Sequence, residues 1–137
     1  MKLLVVALLL LCVASPLYAQ DAGWSTVATS SDGKDIYRIK LYSGQHSTNG
    51  AGKYITVVVG EDESKVTHTT DIMKWYVTDT DCSNGYGNLV MLDMNGNYKY
   101  EVPFASGSPT VSSAIAETIC AANASVNSGK SLSKTQS

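Results

Sequence analysis

Apolar and polar residues alternate with a period of two along most of the chain, and only near the C-terminus does the period become helical. The clearest alternation is Lys34 to Tyr42. Tyr37, Ile39 and Leu41 share one face of that stretch, and Ile36, Arg38 and Lys40 share the other. Such a pattern predicts a half-buried strand. Gly23 to Ser30 is rich in β-formers and ends on Ser31-Asp32-Gly33, so the two stretches read as a hairpin. Tyr54 to Val59 is a dense β-branched run, expected near the centre of a sheet. Ile72 to Thr80 resumes strand character around Trp75-Tyr76-Val77. Asn88 to Met94 and Tyr98 to Phe104 flank Asn95-Gly96, a type I′ hairpin signal. Pro103 lacks an amide hydrogen, which predicts that the last strand lies at an edge or ends there.

Between these strands the chain reads as loop. Ser43 to Lys53 is glycine-rich and polar, Gly60 to Ser64 reads as an acidic turn, and Cys82 to Gly87 as a tight glycine-supported turn. Ser108-Pro109 predicts a helix start, serine capping and proline fitting the first turn. Val111, Ile115, Ile119 and Ala122 then line one side of that helix. The expectation is an α+β fold, an antiparallel sheet of about six strands covered by one C-terminal helix.

The N-terminus changes the picture. Lys2, the apolar run Leu3 to Val13, Ser15-Pro16 and Ala19 read as a secretory signal peptide over residues 1–19. Cys12 falls inside it and follows the bulky Leu11, which disfavours lipid attachment. The exported chain keeps nine basic against twelve acidic residues, a net charge of −3. That balance argues against nucleic acid as a partner, and no second long apolar run predicts a transmembrane segment. One domain is expected over residues 20–122, with a disordered tail over 123–137. Export leaves two cysteines, Cys82 and Cys120, in an oxidising compartment, and their pairing would staple the helix to the sheet.

Chemistry-bearing residues are sparse. Asp79, Asp81 and Ser83 have the spacing of the first three calcium-loop ligands, but the glycine falls one place late and the twelfth position is Val90. A polar turn is the better reading, so no metal and no cofactor is expected. His46 and His68 are the only histidines and have no neighbouring ligand in sequence. Hydrolase motifs are absent, and Asp35, Asp71, Asp93, Glu101 and Glu117 form no distinctive acid–base pair. No catalytic residue is assigned. Tyr37, Tyr42, Tyr54, Tyr76, Tyr86, Tyr98 and Tyr100 stand against a single phenylalanine. Tyrosine suits both strand surfaces and binding surfaces.

Two segments carry a resemblance: Asp81-Cys82 with the following Leu89-Val90-Met91-Leu92-Asp93, and Thr110 to Cys120. Together with the tryptophan-bearing first strand they resemble the surface-adhesin protein E family of proteobacteria, over residues 24–120. The resemblance implies an antiparallel sheet with a C-terminal helix held by one disulfide, here Cys82–Cys120. It also implies a non-enzymatic, exported module, periplasmic or at the cell surface, that binds a host extracellular-matrix or cell-envelope protein. The family's basic, aromatic ligand segment has no counterpart here, so the ligand-binding residues stay unassigned. The competing expectation is a periplasmic inhibitor or accessory protein of a cell-envelope hydrolase, with the 43–53 loop as its inhibitory element.

Overall fold

The computed structural model describes residues 23–135, with side chains described for residues 23–124. The expected signal peptide lies outside the described residues. Seven antiparallel strands form one sheet: β1 (Trp24–Thr29), β2 (Asp35–Lys40), β3 (Gln45–Thr48), β4 (Tyr54–Ser64), β5 (Thr69–Thr78), β6 (Tyr86–Leu92) and β7 (Tyr98–Ala105). Two helices accompany them, α1 (Asp79–Asn84) and α2 (Val111–Thr135). The strand order is β1-β2-β4-β5-β6-β7, with β3 paired to β4.

The seventh strand, β3, occupies part of the stretch expected to be loop. β2 and β3 share one edge of β4, with Ile39 opposite Gly60 and Gln45 opposite Val57. They form one long strand broken at residues 41–44. At the break Tyr42 has φ of 63°, and the ladder is repaired by a side chain. The Val59 amide donates to the Ser43 hydroxyl at 3.0 Å, and that hydroxyl donates to the Lys40 carbonyl at 2.7 Å. Polar residues with no alternation hid this strand, because it draws its stability from β4 rather than from an apolar face of its own.

The acidic turn is also corrected. β4 runs on through Ser64, and the chain reverses over Lys65–His68. Glu61 and Glu63 are strand residues held by Arg38 of β2, whose Nη1 donates to both at 2.9 and 2.8 Å. Gly60 is needed within the strand. A Cβ there would collide with the Trp75 ring, which lies directly against the backbone.

α2 lies across one face of the sheet. Val58, Met73, Trp75, Val77, Leu89, Met91 and Phe104 meet Ile115, Ala116 and Ile119 there. The stripe read from the helical period is the face that packs. The helix cap differs from expectation: Thr110, not Ser108, receives the Ser113 amide at 3.2 Å. The first turn then grips β7. Ser112 donates to the Pro103 carbonyl at 2.8 Å, and Ser113 accepts the Ala105 amide at 3.1 Å. β7 is last in the sheet order, as Pro103 implies, and these serines occupy backbone groups of that edge. Helix α2 continues to Thr135, beyond the tail boundary expected at Asn123, and Asn123 itself is buried. Alanines at 121, 122 and 124 favour helix without an apolar stripe to announce it.

The expected turn at Cys82–Gly87 is instead the short helix α1. Thr78 caps it by accepting the Asp81 amide, and Gly85 ends it with φ of 80°. The disulfide Cys82–Cys120 joins α1 to α2 with the Cα atoms 5.4 Å apart. The β6–β7 connection is not a two-residue type I′ turn. Of its residues only Gly96 has positive φ, and Asp93 organises the turn by accepting the Asn95 and Asn97 amides, both at 2.9 Å. No helix among the described residues is long and apolar enough to cross a membrane.

Candidate functional site on the open sheet face

Side chains of successive strand residues point to opposite faces, so the register fixes what lies on the side away from α2. One row crosses the sheet as Gln45, Val57, Tyr76, Val90 and Glu101. The next holds Val59, Lys74, Leu92 and Tyr98. A third begins with Arg38, Glu61 and Ile72. Among the described residues α2 packs on the other side, while the β3–β4 connection borders this face beside Tyr76 and Tyr98. Ile55 and Val90 are nonetheless buried within it, whereas Tyr98 is 61% exposed and Ile72 49%.

The face is concave, with one depression of about 250 Å³ between Asn49, Lys53, Tyr76, Val90 and Glu101 and two larger ones. A cleft of about 510 Å³ runs along Leu41, Tyr42, Gln45, Val57, Val59 and Lys74. A second, of about 340 Å³, lies between Thr48, Ile55, Tyr76, Leu92 and Tyr98. Leu92 and Gly96 border both, so the two depressions are contiguous. The β2–β3 break supplies one wall and presents Tyr42 fully to solvent.

Charge lies around this apolar centre. Glu63 and Glu61 hold the Arg38 guanidinium above its ordinary pKa, the hydrogen bond to Glu63 first, against a lowering by burial. The Tyr98 phenol donates to Glu101 at 3.1 Å. Its pKa is raised, by desolvation first and then by that hydrogen bond. Aromatic and aliphatic side chains ringed by paired charges make a surface suited to contact with another macromolecule.

The other sequence candidates do not converge. His46 bonds Asp79 through Nε2 at 2.9 Å and stacks on Tyr54 with ring centroids 5.6 Å apart. His68 sits exposed in the β4–β5 turn. Asp79 and Asp81 lie in a helix rather than a loop, and Asp81 accepts the Asn88 amide at 3.1 Å. Among the described residues, no three of His, Cys, Asp or Glu gather as a metal site. Asp71 lies opposite Asp62 on the helix side, Asp93 serves its turn, and Glu117 accepts the Gly107 amide at 2.6 Å. The tyrosines divide. Tyr76 and Tyr98 meet on the open face, whereas Tyr37 and Tyr100 border a cleft beside the start of α2. The Arg38–Glu61–Glu63 cluster escaped sequence reasoning because the glutamates were placed in a turn. The alternation of Glu61, Glu63 and Arg38 was its available signal.

No protein-family model, no curated protein and no solved structure matches the chain.

Proposed function

We propose that the chain is an exported, non-enzymatic protein-binding module, similar in role to the surface-adhesin protein E family, whose partner docks on the open sheet face. One observation carries this reading: the face away from α2 sets Val57, Val59, Ile72, Tyr76, Leu92 and Tyr98 in adjoining rows with no helix over them among the described residues. Tyrosines contribute large contact area at small entropic cost and are frequent binding hot spots. The partner class, a host extracellular-matrix or cell-envelope protein, comes from the resemblance of the two cysteine segments. The inhibitor reading has weaker support. Ser43 is engaged within the sheet, and the Asn49 side chain accepts the Ala51 and Lys53 amides, so neither is free to enter an enzyme cleft.

The test is surface-immobilised chain beginning at Gln20, titrated with a panel of purified host matrix proteins and with purified envelope proteins. A specific partner should be retained, and Tyr76→Ser with Tyr98→Ser should weaken it at least about tenfold, the scale of an aromatic hot spot. The variant's melting temperature should stay near that of the parent. Failure to retain any member of either panel, or equal binding by the variant, overturns the proposal.

A further inference from the structure

The larger cleft of the open face is not only apolar. Its lining includes two lysines, Lys40 and Lys74. Strand alternation puts both on this face, because their neighbours Ile39, Met73 and Trp75 point into the core. Val59 lies opposite Lys74. Lys40 follows Ile39, the partner of Gly60, so it falls on the other side of Val59. The three cross the sheet as one row with Val59 in the middle. Two strand spacings separate the lysine stems, roughly 10 Å. Flexible four-carbon side chains can bring both ammonium groups over Val59.

The other charges of this face are engaged. In the adjoining row Glu61 and Glu63 both accept from Arg38. Farther along, Glu101 accepts from the Tyr98 phenol. Among the described residues no carboxylate pairs with Lys40, which is exposed, or with Lys74, which is half-buried. The chain carries more acidic than basic residues, yet here two positive charges flank one valine. Their repulsion is unfavourable, and an anion between them relieves it. Apolar side chains bound the row at both ends of the cleft, Leu41 and Tyr42 at the β2–β3 break and Leu92 toward Tyr98. An extended segment with a carboxylate between two apolar side chains complements this order. Alternate residues of such a segment face the same way, about 6.7 Å apart.

Resting on the docking of a protein partner on this face, we propose that the partner enters the cleft with an acidic–apolar segment. Its Asp or Glu carboxylate sits between Lys40 and Lys74 above Val59, and its apolar side chains lie on Leu41 and Leu92. The probe is the blocked peptide acetyl-Leu-Ser-Glu-Ser-Leu-amide, titrated into the disulfide-bonded chain beginning at Gln20 and followed by methyl and amide NMR shifts. The same peptide with Gln in place of Glu removes only the charge. Saturable binding of the Glu peptide is expected, with shifts centred on Val57, Val59 and Leu92. The Gln peptide should bind about fivefold more weakly, the scale of two exposed ion pairs, and added salt should narrow the gap. Lys40→Gln with Lys74→Gln should abolish the preference and leave the melting temperature near that of the parent. Lys40→Arg with Lys74→Arg should keep the preference. Absence of saturable Glu-peptide binding, equal binding of the Gln peptide, an unaltered preference in the glutamine double variant, or shifts confined to the α2 side would each overturn the assignment. Shifts at Val59 and Leu92 that grow with protein concentration alone would seat a second copy of the chain there and overturn it too. A failed panel with an intact peptide preference would strike the docking reading alone. A retained partner that binds the glutamine double variant unchanged would strike the acidic segment alone.

Discussion

At the scale of single residues, the fold depends on positions whose demands come from distant neighbours. Gly60 is one. In sequence it stands before an acidic run and looks like a turn, but in the sheet it makes room for the Trp75 ring. Gly60→Ala should overpack that contact and destabilise by about 1–3 kcal/mol, measurable by urea denaturation. A loss below about 0.5 kcal/mol would mean that the ring moves aside freely. Asp62 is another. Burial first, then Asp35 and Asp71, raises its pKa above the ordinary 3.8. The native state therefore holds the proton to higher pH than the unfolded chain does. Below 3.8 both states are protonated, and stability falls as pH rises from there through the raised value. Asp62→Asn should be more stable than the parent at neutral pH and should flatten that part of the profile. Thermal melts across acid to neutral pH check this, and a variant less stable than the parent at pH 7 contradicts it. Neither residue was legible in advance, because Asp62 meets Asp71 only through strand register.

Elements were more legible than their junctions. The helical period marked Val111, Ile115 and Ile119, and this stripe meets the sheet because period and burial express the same geometry. The alternation of Tyr37 with Ile39 likewise gave a strand. β3 and α1 were not legible: one lacks apolar alternation, and the other is a single capped turn of polar residues. The open face was visible only in part, as an excess of tyrosine, since which tyrosines converge depends on pairing. Ile119 is fully buried, so Ile119→Ala should cost about 2–5 kcal/mol. Glu117 is exposed and the sequence would make it silent, yet it accepts the Gly107 amide and ties the β7–α2 connection to the helix. Glu117→Ala should therefore cost a smaller amount, on the order of 1 kcal/mol, with Glu117→Gln restoring part of it. Equal losses for Ile119→Ala and Glu117→Ala in chemical denaturation would contradict the docking of α2.

For the whole molecule, the sheet has one face occupied by α2 and one with no helix over it among the described residues, while the disulfide fastens the occupied side. Thiol titration of the unfolded, unreduced chain beginning at Gln20 should find no free cysteine. Reduction should lower stability by roughly 4 kcal/mol on the loop-length relation for cysteines 38 residues apart. One or two reactive thiols per chain would remove the staple.

The staple also decides how the molecule answers to pulling. Tension applied beyond Cys120 passes through the sulfur bridge into α1, beside the junction of β5 and β6, and bypasses the β6–β7 hairpin. Tension at the other end reaches β1, an edge strand in antiparallel pairing that peels from β2 one bond at a time. Stretched in an optical trap, the oxidised chain should yield first at β1 and keep the segment between the cysteines folded away. With the two cysteines 38 residues apart in sequence, a reductant should release roughly 130 Å of additional contour length. Under tension the molecule therefore gives slack at one end and holds at the other.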